Sequence, residues 1–288
     1  MRDLSLLTWN EVRETDKSRS VVFVVLAPIE EHGTHLPLAT DILEGECWSR
    51  DAMKMLERRL EVECFYLPSF PIAAASVNEF YGSIHFSMKL TYEVTYDVLE
   101  SLCYMGFRNI VVIASHADPQ HQIAVEKAVR KINKKNGLCV IAPMGQIFMG
   151  VSVEKSSELQ KLEEEQGNDY HAGWVETSCM LCIDPDHVRD VYQKLPDTEI
   201  ADKDMIFRKR QLKAMGEYGY IGSPKYANAE IGKRLNENCS ASICDAVEKF
   251  YYREGYQKYE HYLLYNILPL HIGFWKIAGK VRRKKVSA

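Results

Sequence analysis

Residues 30 to 41 read Glu-Glu-His-Gly-Thr-His-Leu-Pro-Leu-Ala-Thr-Asp, so Glu30, His32, His35 and Asp41 crowd into one short segment directly after the apolar run Val21–Ala27. Imidazoles and carboxylates without thiolate suit zinc, manganese or iron(II), and the end of a strand is where an α/β protein presents such groups. A polar turn whose histidines merely satisfy backbone groups is the plain alternative for one Glu-x-His pair. Asp41 and two later segments outweigh it. Asn109–Ser115 is a β-branched run of the kind a buried parallel strand needs, and it ends at once in His116-Ala117-Asp118. In an open parallel sheet neighbouring strands deliver their carboxyl ends to one crevice, so these two ends are expected to converge. The third segment, His171 to Ser178, adds an imidazole and the carboxylate of Glu176.

Glu30, His32, Asp41, His116, Asp118 and Glu176 are more ligands than one tetrahedral ion uses when a position must stay open for water. Two divalent ions are therefore expected, with Asp41 placed to bridge them and a shared water as nucleophile. That leaves His171, which titrates near neutrality, for proton transfer to a leaving atom; a buried structural histidine is its alternative.

At these residues the chain resembles the creatininase (creatinine amidohydrolase) family. The resemblance rests on Glu-x-His-Gly-x-His-Leu-Pro-x-x-Thr-Asp at 30–41, the strand-end histidine His116, and His-Ala-Gly-x-x-Glu-Thr-Ser at 171–178. Phe80-Tyr81-Gly82-Ser83 and the stretch from Gly222-Ser223-Pro224 through Gly232 echo further family segments, so the likeness spans about residues 20 to 250. It implies a three-layer α/β/α sandwich around a mostly parallel sheet, a two-metal site, and hydrolysis of small, often cyclic substrates. Glu30 and His116 would hold one ion and His32 the other, Asp41 would bridge, and either Asp118 or Glu176 would complete the second ion. Glu176 and His171 are the expected catalytic residues. Ser76, Trp174 and His171 are the expected substrate-facing ones, with core packing as the alternative for Trp174.

Two departures bear on substrate. The family's Asn-Gly-His-Gly-Gly-Asn reads Ala114-Ser115-His116-Ala117-Asp118-Pro119 here, and Gly167 stands where creatininase has a tryptophan that closes over its flat substrate. The expected reaction is attack on a carbonyl of a small polar substrate, by C–N hydrolysis of a cyclic or formyl amide or by C–C ring opening of a cyclic diketone such as an oxidised inositol. A non-catalytic metal-binding or scaffold protein of the same fold is the rival.

The elements that must position these residues alternate: strand Val21–Ala27, a helix from about Asp41 to Leu60, strand Glu63–Leu67, a helix near Thr91–Met105, strand Asn109–Ala114, a helix from Pro119 to Lys135, and strand Leu138–Ala142. Glu154–Gln166 reads as a solvated helix or a flap beside the site. With 288 residues, 46% hydrophobic and 26% charged, the chain can bury a sizeable core. A net charge of −4 without a basic stripe in the body argues against nucleic acid. No secretory signal opens the sequence, so the eight cysteines, Cys179-x-x-Cys182 included, are read as reduced, buried thiols in the cytoplasm. Residues 251–288 form a separate extension in which several tyrosines share a helical face before an apolar and then a basic stretch. It is too interrupted to span a bilayer, and its expected use is a subunit contact in a homo-oligomer, possibly a hexamer.

Overall fold

The computed structural model describes residues 1–271 apart from 77–78, 85, 154–156, 168 and 206. The first residues of the charged run at 154–166, and the apolar and basic stretch from 272 onward, lie outside the described residues. The elements run β1 (Arg2–Asp3), α1 (Trp9–Glu14), β2 (Ser20–Leu26), α2 (Thr40–Leu60), β3 (Glu63–Tyr66), α3 (Met88–Tyr104), β4 (Ile110–Ala114), α4 (Pro119–Asn136) and β5 (Val140–Ile141). Beyond the sheet come α5 (Met144–Phe148), α6 (Ser157–Gln166), α7 (Trp174–Ile183), α8 (Arg208–Met215) and α9 (Ala229–Tyr252), with short 3₁₀ turns between them. The strands form one parallel sheet in the order β1-β3-β2-β4-β5.

Alternate residues of a strand point to opposite faces, and in β2 and β4 both faces are apolar. Val21, Phe23 and Val25, with Val111 and Ile113, pack under Trp48, Met53 and Leu56 of α2 and Ile243, Val247 and Phe250 of α9. Val22, Val24 and Leu26, with Ile110 and Val112, pack under Leu99 and Leu102 of α3 and Val125, Val129 and Ile132 of α4. The result is the three-layer α/β/α sandwich that the strand–helix alternation predicts. The helix starts follow local chemistry: Ser87 caps α3, Asn228 caps α9, and Asp118 caps α4 ahead of Pro119 at its first position.

The extension departs from expectation. Instead of one helical face, Tyr256–Tyr259, Leu263–Asn266 and Leu268–His271 are separate 3₁₀ turns. Left-handed backbone at Gly255 (φ 69°) and His261 (φ 63°) reverses the chain between them. Part of the extension packs on the body while Leu263, Ile267 and Leu268 stay exposed. Tyr259 is fully buried against the α2–α9 face and its hydroxyl donates to Asp245 at 2.6 Å, while Tyr262 packs on Ala74, Met88, Ile123 and Ala124. Gln146 Nε2 donates to the carbonyls of Glu260 (3.1 Å) and His261 (2.6 Å), which fastens the turn to α5. Tyr259, Tyr262 and the turn at 260–261 thus anchor the start of the extension to the α/β body.

One close contact fixes the helix that brings in Glu176. A Cβ placed on Gly232 of α9 would sit 1.7 Å from the carbonyl oxygen of Ser178 in α7, so the two backbones touch. Gly232→Ala must push backbone apart rather than a flexible side chain. It should lower stability by about 3 kcal/mol in a urea unfolding titration; an unchanged midpoint would show that α7 and α9 separate freely.

Candidate metal centre

The register pairs Leu26 of β2 with Ala114 of β4, so the two strands leave the sheet side by side. The chain after β2 turns back through Gly33, whose φ of 66° and nearness to the His35 ring (2.9 Å from a Cβ) exclude a side chain there. It then enters α2, which puts Asp41 in that helix's first turn. The Ser115 hydroxyl donates to the Asp41 carbonyl at 2.7 Å, and Gly45, whose Cβ would lie 2.4 Å from Ser115 Oγ, lets α2 come that close to the end of β4. Gln122 Nε2 donates to the carbonyls of Ala114 (2.8 Å) and His116 (2.7 Å), holding the turn that carries His116. His121 Nε2 meets the Leu26 carbonyl at 3.2 Å and ties α4 to the end of β2. On the third side Asp169 Oδ2 accepts the Val175 amide at 2.6 Å at the start of α7, the helix of Glu176.

These supports bring five predicted ligands together. His116 Nδ1 lies 3.3 Å from Glu30 Oε2 and 3.4 Å from Asp41 Oδ2. His32 Nε2 lies 3.6 Å from the same Asp41 oxygen and 3.9 Å from Glu176 Oε2. Two triads thus share Asp41: Glu30–Asp41–His116 and His32–Asp41–Glu176, with His171 grouped beside Glu30 and His32. The spacings exceed good hydrogen bonds. They match the roughly 3.4 Å that separates two ligand atoms each about 2.1 Å from one tetrahedral ion. Glu30 Oε2, His32 Nε2 and Asp41 Oδ2 are buried without a hydrogen-bond partner, so the donor set fits a cation on the atoms that face one another.

Charge is tightly balanced here. Burial works against the imidazolium of His32, but Asp41, with Glu176 and Glu30 behind it, raises its pKa to about 10. His116 likewise rises to about 10 against its burial, through Glu30 and Asp41. Burial pushes the Asp41 carboxyl up, yet the two imidazoles hold it well below the usual carboxylate range. Glu30 is raised by burial. His35 and His121, both desolvated with cationic rings nearby, drop to about 4 and about 3.

His171 stands with its ring centroid 4.6 Å from that of His32, and its Nε2 meets the Glu31 carbonyl at 2.9 Å and Glu31 Oε1 at 3.4 Å. Burial lowers its pKa and Glu31 more than offsets this, to about 9, so the ring carries a proton at neutral pH. Glu31 is a residue that motif spacing did not single out. Its carboxylate also accepts the Gly33 amide at 3.0 Å, so it orients both the turn and the histidine. Glu44 was missed as well: one turn after Asp41, fully buried, with Oε1 unpartnered and a pKa pushed well up by burial.

Asp118 has another task. Its Oδ1 accepts the Gln120 amide (2.7 Å) as the cap of α4, and its Oδ2 accepts the Ser76 amide (2.6 Å). Glu176, not Asp118, is the acid that lies with His32 and Asp41. Ser76 is correspondingly committed, its hydroxyl accepting from Gln120 Nε2 at 3.1 Å. Trp174 is 2% exposed, which places it in core packing at the start of α7, with its indole N–H unpartnered. His35 is a strut, its Nε2 2.8 Å from the Thr177 hydroxyl. Cys179 is buried and Cys182 exposed, so the pair shares no site.

Comparison with known proteins points one way. The creatininase (creatinine amidohydrolase) family model matches residues 5–247. A manganese creatininase superposes with a TM-score of 0.70 at 19% identity, covering 86% of this chain and 98% of its own. A candidate creatinine amidohydrolase from Bacteroides fragilis NCTC 9343 gives 0.64 at 20%, over 86% and 96%. A variant creatininase complexed with creatine gives 0.67 at 20%, over 86% and 98%. At such identities the likeness is one of fold. No curated protein sequence matches the chain.

Two outcomes are expected of the triads. A proton on His32 or His116 must leave before the ring can ligate, so divalent-cation affinity should rise about tenfold per pH unit per displaced proton between neutrality and about pH 10, and fall as pH drops. Chelator competition across pH measures it, and a flat profile would exclude the imidazoles as ligands. Separately, Glu176→Gln should lower the metal bound per chain while Asp118→Asn leaves it unchanged, as read by elemental analysis. The reverse would return Asp118 to the ligand set.

Proposed function

The chain belongs to the creatininase family, and from that membership we propose that it is a hydrolase dependent on two divalent metal ions, acting on a carbonyl of a small, polar substrate. The observation that carries this reading is the single buried oxygen of Asp41 facing both His116 (3.4 Å) and His32 (3.6 Å), with a further carboxylate on each side. Glu30, His116 and Asp41 would hold one ion, and His32, Asp41 and Glu176 the other. Among the solved relatives, one is a manganese form and another a Zn–Zn form, and the same N/O donor set also accepts iron(II). Cations bound there supply Lewis acidity and bring a water's pKa near neutrality.

The chain's own residues do the rest. His171 holds a proton beside the triads and donates it to the leaving atom, nitrogen in an amide or the enolate carbon of a ring-opened diketone. Glu31 fixes the ring through its carbonyl and carboxylate, both of which meet Nε2. Glu176 does double service as ligand and, one-quarter exposed, as the acid nearest to an arriving substrate. Creatine, held by one relative, is a flat guanidino acid. The position of creatininase's closing tryptophan is Gly167 here, with open space where a Cβ would be. The substrate class is therefore extended to hydroxylated rings, cyclic amides and diketo-cyclitols alike. We place the active protein in the cytoplasm as a homo-oligomer.

His171→Ala is the decisive variant. Turnover of a panel of cyclic amides, formyl amides and oxidised inositols should fall by about 10²–10⁴-fold, with about two metals per chain retained. Unchanged turnover would remove His171 from the mechanism. Metal retention with no turnover by the wild type on any of these compounds would favour a metal-binding scaffold.

A further inference from the structure

Away from the metal centre, two thiols that the proposed chemistry does not use stand against each other. Cys103 lies in the last turn of α3 and Cys139 one residue before β5, and the packing of α3 on the sheet brings their sulfurs to 3.3 Å. Both are free. Cys139 is fully buried, whereas Cys103, 5% exposed, reaches the floor of an open surface depression of about 610 Å³ whose walls include Glu100, Tyr104, Met105 and Lys135. Cys103 is thus the member of the pair nearer the surface.

The surroundings favour sulfur chemistry over inert packing. The Arg108 guanidinium donates to the Cys103 carbonyl at 2.9 Å, and that of Arg253 donates to the carbonyls of Arg108 (2.9 Å) and Leu138 (3.3 Å), so two fixed cations flank the pair. Asn133 Oδ1 accepts the Cys139 amide at 3.0 Å and lies 3.7 Å from its sulfur, holding that side chain still. Two free thiols at 3.3 Å are close enough for one, once oxidised, to be resolved by the other.

The geometry points to Cys103 and Cys139 as a modification site at which a hydroperoxide makes an intramolecular disulfide. One S–S bond forms and two S–H bonds break. The peroxide O–O bond takes up the two electrons, and with the two thiol protons hydrogen peroxide leaves as two waters. The bond closes a loop from 103 to 139 that contains β4, His116 and α4, so it would staple the segment bearing a proposed metal ligand. Such a staple acts on the unfolded chain more than on the folded one. Oxidation is then expected to leave the folded site in place and to resist unfolding.

The test uses the full-length, metal-loaded protein treated with hydrogen peroxide and digested without reduction. The expected result is a cross-linked peptide joining Cys103 to Cys139, lighter by two hydrogens, reversed by dithiothreitol, and accompanied by a higher urea midpoint for the oxidised protein. Cys103→Ser should abolish the cross-link. Because that residue lies at the edge of the depression, its variant serves even if Cys139→Ser fails to fold. Oxidation of Cys103 to sulfinic acid with Cys139 still a thiol, a cross-link to any other cysteine, or oxidation confined to the exposed Cys182 would each overturn the assignment.

Discussion

The carboxylate of Asp41, 2% exposed and shared by two imidazoles, is the interaction on which the rest of the centre depends. Taking a carboxylate out of water costs several kcal/mol, and the first-turn position in α2 returns only about 0.3–2 kcal/mol through the helix dipole. The remainder must come from positive charge in contact. Asp41 finds it in the rings of His32 and His116, whose pKa values it raises while they hold its own carboxyl low. Glu44 and Asp169, buried close behind, rise in pKa through burial and neighbouring carboxylates, Asp169 to about 8. Glu30 Oε2, His32 Nε2 and Asp41 Oδ2 nevertheless remain buried without a hydrogen-bond partner, and a divalent cation on Asp41 would satisfy them together.

Metal ligands need placement within a fraction of an ångström, and the sheet supplies it through parts that have no chemistry of their own. The Leu26–Ala114 register fixes where two chain ends emerge. Gly45 against Ser115, and Gly232 against Ser178, let α2 and α9 approach at backbone distance, so the helices cannot rotate without a collision. His35 and His121 hold their neighbours through neutral rings, which is why their low pKa values matter structurally: a strut that charged at neutral pH would repel the imidazoles it braces. The Asp118–Ser76 staple belongs to the same class. Where the family carries flexible glycines, this chain has a capped helix and a loop pinned through Asp118.

The parts legible in the sequence are those in which local pattern and long-range geometry coincide. Glu30, His32, Asp41 and His116 follow strand ends, and strand ends converge in a parallel sheet, so spacing alone reached them. Asp118 and Glu176 stay alternatives in the sequence because Asp-Pro after a strand is at once a ligand position in creatininase and the ordinary signature of a helix cap, and only the direction of its oxygens favours the cap. Glu31 was hidden for a different reason. It sits between two ligands and acts on His171 from the far end of the chain, partly through its backbone carbonyl, which no residue pattern encodes. The extension was taken for a helical face because its tyrosines recur at suitable intervals; left-handed turns at Gly255 and His261 break that period.

Exposure gives the centre a direction. The side chains of His32, Asp41, Glu30 and His116 are 1–9% exposed, while His171 and Glu176 stand at 18% and 24%. A structural ion is normally enclosed by four protein ligands, with no side of its shell more open than another. Here each triad offers three ligands, and the more open side is the one where a protonated imidazole waits. A scaffold has no use for that asymmetry, because holding an ion requires neither an approach nor a proton donor at its mouth. Glu30, His32, Asp41 and His116 lie deepest, and Glu176 and His171 form the more open side.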